Sequence, residues 1–331
     1  MYQLKNSIKN TIHYSFLLST TNAITHIGYG IDNNYVRCCS TSIVSFCKNN
    51  PQEKFHFHII SSIISKENLN NLQKLAEKYN INISIYIIDN THFNKLPTQK
   101  IFPISMYFRF ILPIVNSNLS KILYIDADII CLNNINELLS LNLNQNIIAA
   151  VPDTNEMNIY RNKELNLKNH LYFNSGMMLI NIPEWNKNNI SNKLIDLLNN
   201  SSYNFKFPDQ DALNLILTKK IKYLPRKFNY FNGFYPWHKD SITNKEIILL
   251  HFTSSPKPWD LGWEVSSMSN DYNRDLYKTY ENQTPWKNSL PVYPKHYRRF
   301  RIYAKDLYKH GYYLKSIKYY LTYLFTKIKI K

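Results

Sequence analysis

In Lys121-Ile-Leu-Tyr-Ile-Asp-Ala-Asp-Ile-Ile-Cys131, a short apolar run leads directly into two carboxylates. A continuous apolar run of this length is typical of a strand buried on both faces of a sheet. Open α/β sheets bind ligands just beyond the carboxyl ends of their strands. The sequence therefore predicts that Asp126 and Asp128 lie at the ligand-binding edge of an α/β sheet.

The two carboxylates are also spaced to share a metal ion. Residues two apart in extended backbone point to the same side. Like charges held that close repel, and their pKa values rise unless a cation lies between them. Mg²⁺ and Mn²⁺ bind carboxylate oxygens and leave positions open for phosphate oxygens. We interpret Asp126 and Asp128 as a metal–diphosphate site; the alternative is a capped turn before a helix, which Asn133 and Asn134 would begin.

The region before this stretch alternates between strand and helix patterns. Strands are predicted at 24–30, 55–60 and 81–88, with helices at 35–48 and 66–79 between them. This βαβαβ order is typical of a mainly parallel, twisted sheet with helices on its faces.

Further elements follow the carboxylates. Strands are predicted at 147–151, 172–182 and 247–253, and a surface loop or short helix at 153–170. A helix begins at 207–214, with acidic residues on its first turn, where the helix dipole favours them in any case.

Composition limits the function classes. The 331 residues carry a net charge of +17, which favours anionic partners such as nucleic acid, an anionic membrane or phosphorylated substrates. The apolar fraction of 44% is enough to fill a core. The four cysteines have neither zinc-finger nor disulfide-framework spacing, so we expect a reducing cytoplasm. No apolar run of about 20 residues predicts a membrane-crossing helix.

Three regions are expected: a polar lead-in at 1–22, the α/β domain at 23–265 and a basic helical region at 266–331. From Lys295 onward there are eleven Lys or Arg and one acid, Asp306. An apolar stripe recurs there at three- and four-residue steps: Leu314, Ile317, Leu321, Leu324 and Ile328. This pattern favours a helix in an anionic membrane interface over one packed on the domain.

Several single residues have two interpretations. Asp32 and Tyr35 follow the first strand and either hold a nucleobase or form an ordinary Asx turn, which is the more frequent case. Gly28 and Gly30 permit close backbone approach but form no dinucleotide-binding fingerprint. His56 and His58 are expected to be strand surface positions and not ligands. Arg109 lies in an apolar segment and either pairs with Asp126 or Asp128 or reaches a bound phosphate.

Taken together, these segments resemble glycosyltransferase family 8, most closely its lipopolysaccharide-core glucosyl- and galactosyltransferases. Six marks carry the resemblance in the family's order: Gly30-Ile-Asp-Asn-Asn-Tyr35, Met106-Tyr-Phe-Arg109, Leu123-Tyr-Ile-Asp-Ala-Asp128, Tyr172-Phe-Asn-Ser-Gly176, Pro208-Asp-Gln-Asp211 and His251 with Lys257-Pro-Trp259. The family's C-terminal Ser-Pro-Trp-Lys appears here as Thr284-Pro-Trp-Lys287.

The resemblance implies a GT-A fold, Rossmann-like, with a basic helical C-terminal extension. It implies that Asp126, Asp128 and His251 hold Mg²⁺ or Mn²⁺ against the diphosphate of UDP-glucose or UDP-galactose. The remaining implied donor-binding residues are Gly30, Ile31, Asp32, Asn33, Asn34 and Tyr35 around uridine, Lys257 at the phosphates, Arg109, Asn174, Asp209 and Gln210 around the sugar, and Ala127 and Ser254.

The resemblance also implies retention of anomeric configuration. A double displacement needs a carboxylate nucleophile. The family's position facing the anomeric carbon is Gln210 here, a poor nucleophile, so we favour front-face attack by the acceptor hydroxyl, with Gln210 and Asp209 as catalytic support. The implied partner is a phosphorylated lipopolysaccharide core at the cytoplasmic face of the inner membrane, which the basic C-terminus would bind.

Two rival classes fit less well. A haloacid-dehalogenase-type phosphatase also begins with a strand and Asp-x-Asp, but its chemistry requires Thr or Val at the position of Ile130. Its motif is also expected earlier in the chain. A nucleic-acid binder would need aromatic and basic residues interleaved on a recognisable module, and the C-terminal stripe is too amphipathic for one. We therefore expect no nucleic-acid partner; a family 8 transferase acting on another glycan stays the alternative.

Overall fold

The computed structural model describes residues 4–17, 23–98, 103–167, 170–200, 203–232, 245–270 and 272–329. These residues form two units. The first contains the residues up to 230 together with 245–250, and the second contains 231–232 and the residues from 251 onward. The regional boundaries expected at 22 and 265 stay predictions.

The main sheet lies in the first unit and has the described strand order β1-β4-β3-β2-β5-β8-β7-β9. A small sheet has the order β10-β11-β6. The strands are β1 (Ile8–Ser15), β2 (Ile24–Gly30), β3 (Lys54–Ser61), β4 (Asn82–Ile88), β5 (Lys121–Ile125), β6 (Ile129–Cys131), β7 (Ile148–Pro152), β8 (Phe173–Asn181), β9 (Ile221–Tyr223), β10 (Tyr230–Phe231) and β11 (Leu249–His251).

The described helices are α1 (Val36–Asn49), α2 (Lys66–Tyr79), α3 (Leu112–Val115), α4 (Asn136–Leu139), α5 (Asn155–Glu164), α6 (Ile182–Lys187), α7 (Ile190–Asn200), α8 (Pro208–Leu217), α9 (Leu276–Glu281), α10 (Arg298–Lys309) and α11 (Tyr313–Lys329). Short 3₁₀ helices include Asn33–Tyr35 and Ile104–Phe110. Among the described residues, every helix is too short or too polar to span a bilayer.

The mixed, mainly parallel sheet confirms the predicted α/β fold. β5 is parallel to β2, β3 pairs in parallel with β2 and β4, and β7 with β9. The direction reverses at β8, which is antiparallel to both β5 and β7.

β5 is central and buried on both faces, as its apolar run predicts. Ile122, Leu123, Tyr124 and Ile125 are each no more than 1% exposed. Fully burying an aliphatic side chain of this size contributes about 1.5–3 kcal/mol, so this strand is fixed mainly by the hydrophobic effect.

The lead-in predicted at residues 1–22 contributes to the sheet. Residues 8–15 form β1, which pairs antiparallel with β4 along its edge. β1 is only half-buried, and its Ile and Tyr positions alternate imperfectly with polar ones, so the sequence pattern is weak. Pairing with β4, which is distant in sequence, therefore stabilises β1 although its own residue pattern is weak.

Candidate functional site

The two predicted carboxylates lie in the turn between β5 and β6, here called the carboxylate turn (residues 126–128). The Asp126 backbone N–H donates to the Gly176 carbonyl (2.8 Å), and the Ile129 N–H donates to the Asp126 carbonyl (3.1 Å). Asp126 and Asp128 are half-buried, and Ala127 between them is buried. The prediction that both carboxylates follow a fully buried strand is therefore confirmed.

Arg109 is the buried cation of this site, only 5% exposed. It comes from the 3₁₀ helix Ile104–Phe110, and its Nε donates to the Met106 carbonyl (3.0 Å). Nη2 donates to Asp126 Oδ1 (2.9 Å), while Nη1 lies 3.1 Å from Asp209 Oδ2. Nη1 also donates to the Ser175 carbonyl (2.8 Å) and hydroxyl (2.7 Å). The sequence offered Asp126 as a partner for Arg109, and the structure adds Asp209.

Tyr124 completes this arrangement from within β5. Its ring lies 4.6 Å beneath the Arg109 guanidinium, and its hydroxyl donates to Asp126 Oδ1 (2.6 Å). Burial opposes the charged guanidinium, but the facing carboxylates outweigh it, so the pKa of Arg109 lies above its ordinary value. Asp126 is thus held in one orientation by two donors.

Asp209 and Gln210 lie on the first turn of α8, both buried. Burial raises the pKa of Asp209 above its ordinary value, and Arg109 opposes that rise. Gln210 Oε1 accepts from the Ser175 N–H (2.9 Å), and Gln210 Nε2 donates to Asp153 Oδ2 (3.1 Å). Both ends of the amide are therefore fixed, and the group stays neutral and polar at every working pH.

Asp153 is a site residue that the sequence analysis did not select. Its Oδ2 accepts from both Gln210 Nε2 and Asn174 Nδ2 (3.2 Å). Asn174 Oδ1 accepts in turn from Asn229 Nδ2 (2.9 Å). The signal was available, because Asp153 lies two residues beyond the strand predicted at 147–151, close to a strand end as Asp126 is. Asn229 had no comparable signal.

Residues 30–35 form a tight turn beyond β2. Asp32 Oδ1 accepts from the N–H groups of Asn34 (2.8 Å) and Tyr35 (3.3 Å), which confirms the Asx-turn interpretation. Asn33 Oδ1 accepts from the Ser65 N–H (2.8 Å). Ile31 is buried, whereas Asn34 and Tyr35 are exposed. Uridine binding by this turn stays a prediction.

Gly28 and Gly30 allow the 104–112 segment to approach β2. A Cβ on Gly28 would lie 2.2 Å from Leu112 Cδ2, and one on Gly30 would lie 3.0 Å from Phe108 Cβ. Both glycines have negative φ, so their role is close packing and not an unusual backbone conformation.

The remaining predicted residues belong to the second unit. His251 is buried as the last residue of β11, its ring lies edge-on to Phe231 at 5.8 Å, and its carbonyl accepts from the Asn232 N–H (2.7 Å). Lys257 donates from Nζ to the Phe252 carbonyl. Ser254 lies between them in the chain and is half-buried. Phosphate binding by Lys257 and donor binding by Ser254 stay predictions.

With this geometry established, comparison with known proteins decides the family. The model described as Glycosyl transferase family 8 matches residues 26–261, and the model described as Glycosyl transferase family 8 C-terminal matches residues 274–327. The chain belongs to glycosyltransferase family 8. It is therefore an enzyme, a hexosyltransferase, as the six sequence marks predict.

Relatives of this family 8 glycosyltransferase match it along almost the whole chain. The Lipopolysaccharide 1,2-glucosyltransferase of Escherichia coli is 36% identical, over 92% of this chain and 89% of the relative. The Lipopolysaccharide 1,3-galactosyltransferase of Salmonella typhimurium is 30% identical, over 97% and 96%. The crystal structure of the galactosyltransferase LgtC with donor and acceptor sugar analogues matches with a TM-score of 0.68 at 20% identity, over 83% of this chain and 99% of that one. That likeness confirms the GT-A fold.

Proposed function

We propose that this glycosyltransferase moves glucose or galactose from UDP to a lipopolysaccharide core oligosaccharide, with retention of configuration. The observation that carries the proposal is the match to two lipopolysaccharide hexosyltransferases over at least 89% of both chains in each comparison. The net charge of +17 suits a phosphorylated acceptor at the cytoplasmic face of the inner membrane.

Asp126, Asp128 and His251 are proposed to hold Mg²⁺ or Mn²⁺. The topology supports this set, because β6 begins directly after Asp128 and the small sheet places β11 next to β6. His251 follows Leu250, and the neighbouring backbone is fixed by the Leu132 N–H donating to the Ile248 carbonyl (2.8 Å). Carboxylate and imidazole donors suit such an ion. When bound, it would neutralise charge that develops on the UDP leaving group.

The chain's own residues then act on the sugar. Gln210, fixed at both ends of its amide, presents a neutral dipole to the anomeric carbon, while Asp209 is neutralised by its ion pair with Arg109. The Gln210 amide is a poor nucleophile, and Asp209 Oδ2 is held by Arg109. We therefore propose front-face attack by the acceptor hydroxyl. Detection of a hexose adduct on Asp209 or Gln210 by intact-protein mass spectrometry during turnover would overturn this mechanism.

UDP release tests the proposed reaction. We expect release from UDP-glucose or UDP-galactose to need both Mn²⁺ or Mg²⁺ and a truncated lipopolysaccharide core acceptor. The measurement compares each donor with and without metal, and each acceptor against an unrelated glycan. Faster transfer to the unrelated glycan would favour the alternative, a family 8 transferase with a different acceptor, and release without any metal would contradict the proposed ion.

The C-terminal helices are proposed to bind the anionic membrane surface. The face of α11 that contacts α10 is polar and aromatic: Ser316 Oγ donates to the Ala304 carbonyl (2.7 Å), and the Tyr319 ring lies 4.7 Å from that of Tyr303. The apolar stripe is instead exposed, at residues Leu314, Ile317, Leu321, Leu324, Phe325 and Ile328. Exposed lysines flank it. An apolar face edged by lysines suits an anionic interface.

Replacing Ile317 and Phe325 with Ser tests this surface. Their side chains are 59% and 66% exposed, so folding should be little affected. Each loses up to about 1.5–3 kcal/mol of apolar transfer energy, and we expect at least about tenfold weaker cosedimentation with anionic vesicles. UDP affinity should not change.

The matched control replaces Ile63 and Ile159 with Ser, which are 67% and 74% exposed in the first unit. This control should pellet with vesicles like the unmodified protein. Equal pelleting of the Ile317 and Phe325 variant and its control would refute the membrane proposal.

A further inference from the structure

A group of histidines lies on one face of the main sheet, on the neighbouring strands β2 and β3. His26 and His56 are register partners on β2 and β3, and His58 lies opposite Ser84 of β4. Side chains two apart on a strand share a face, so His56 and His58 point the same way. His26, His56 and His58 are here called the histidine cluster.

The three rings are in mutual contact. His26 Nδ1 lies 2.9 Å from His58 Nε2. The His56 and His58 rings are stacked with centroids 4.2 Å apart, and His26 lies 5.4 Å from His56 by the same measure. One ring nitrogen from each histidine lies within 4.8 Å of those of the other two. The three imidazoles are therefore close enough together to be considered as ligands of one ion.

Burial disfavours the charged form of these imidazoles. His58 is 2% exposed, so the expectation of a strand surface position is wrong for it, whereas His26 and His56 are half-buried. Burial lowers the pKa of His26, lowers that of His56 to about 4, and holds that of His58 well below its ordinary value. Neutral imidazole is the form that binds metal ions.

Hydroxyl groups fix two of the rings from behind. His58 Nδ1 lies 3.2 Å from the Tyr86 hydroxyl, which leaves Nε2 facing His26. His56 Nε2 lies 2.7 Å from Ser84 Oγ. Metal-bound histidines characteristically use their second nitrogen for such a hydrogen bond, which fixes the tautomer and the ring orientation. The cluster therefore has both candidate metal ligands and hydrogen bonds that would orient them.

We propose that His26, His56 and His58 bind one borderline transition-metal ion of the Zn²⁺ class. Imidazole nitrogens suit Zn²⁺, Co²⁺ and Ni²⁺, whereas Mg²⁺ and Mn²⁺ prefer oxygen ligands. Two nitrogens about 2.0–2.1 Å from a tetrahedral zinc lie roughly 3.3 Å apart, so the His26 and His58 nitrogens need to separate by only a few tenths of an ångström. The half-buried rings leave an approach for the ion and for a water as fourth ligand.

Cobalt titration of the untagged, full-length protein tests this site. Co²⁺ is added to chelator-treated protein in excess Mg²⁺, which occupies carboxylate sites but competes poorly for imidazole. We expect one Co²⁺ per chain with the visible absorption of tetrahedral nitrogen coordination, and its displacement by Zn²⁺. His26→Gln and His58→Gln should each weaken binding at least about tenfold, and Tyr86→Phe about tenfold, as removal of an outer hydrogen bond does.

The matched controls are His296→Gln and His310→Gln, which remove exposed histidines of the second unit and should leave Co²⁺ binding unchanged. Should His58→Gln fail to fold, the half-buried His26→Gln decides the outcome alone. Absence of a stoichiometric Co²⁺ complex would overturn the proposal, as would binding that His26→Gln leaves intact. The result is independent of UDP release, so it stands or falls separately from the proposed transferase reaction.

Discussion

Asp128→Asn is expected to reduce the rate of hexose transfer by about 10³-fold. A carboxylate that binds a divalent ion supports several kcal/mol of transition-state charge stabilisation, and each 1.36 kcal/mol corresponds to a factor of ten in rate. The substitution keeps the size of the side chain and removes its charge. The measurement is kcat and KM for the UDP-sugar over a range of Mn²⁺ concentrations, in which the apparent affinity for Mn²⁺ should also fall.

The matched control for this substitution is Asp196→Asn, which makes the same chemical change at an exposed position of α7 and should leave kcat unchanged. Asp126→Asn is a less clean test, because Asp126 Oδ1 also accepts from Arg109 and Tyr124. Asp128→Asn with near-normal transfer and unaltered Mn²⁺ dependence would contradict the proposed metal site.

The central strands could be predicted because their signals are local. The apolar run of β5 predicts its burial on both faces. The bounds of α2 follow from the apolar periodicity of α2 and from its N-cap Ser65, which accepts from the Asn68 N–H. The position of the carboxylate turn could be predicted because the turn is joined directly to the end of β5. These features depend on residues adjacent in sequence, so one sequence is enough to locate them.

The contacts of Arg109 with Ser175 and Asp209 could not be predicted because they depend on strand direction. β8 runs antiparallel to β5, so its start lies beside the end of β5, with Ile125 paired to Met177. That reversal brings Ser175 to Arg109 and to the first turn of α8. Sequence patterns identify a strand but do not give its direction in the sheet, and the contacts of Asp153 were missed for the same reason.

The ion pair between Arg161 and Asp211, which supports α8, could not be predicted from the sequence either. Arg161 and Asp211 are both fully buried. Arg161 Nε and Nη2 lie 3.0 and 2.7 Å from the two Asp211 oxygens, and the Tyr172 hydroxyl donates to Oδ1 (2.6 Å). The N–H groups of Lys206 and Phe207 donate to Oδ2 (2.9 and 3.0 Å). Asp211 therefore connects α5, the residue before β8 and the loop before α8.

Asp211→Asn is expected to lower the free energy of unfolding by about 3–5 kcal/mol, because it leaves the Arg161 guanidinium buried without a compensating charge. The measurement is urea-induced unfolding followed by circular dichroism. Asp209 and Gln210 precede Asp211 on the same helical turn, so any folded fraction should also transfer hexose more slowly.

A double-mutant cycle separates the ion pair from the other contacts of Asp211. Arg161→Met removes the cation, and we expect the double variant to be more stable than the sum of the two single changes by about 1–3 kcal/mol, since neither charge is then left alone. The double variant should still be less stable than the unmodified protein, because Tyr172 and two backbone N–H groups still lack a charged acceptor. Purely additive effects would show that Asp211 acts on α8 through its backbone contacts, and Arg161 would then have no part in positioning the first turn of α8.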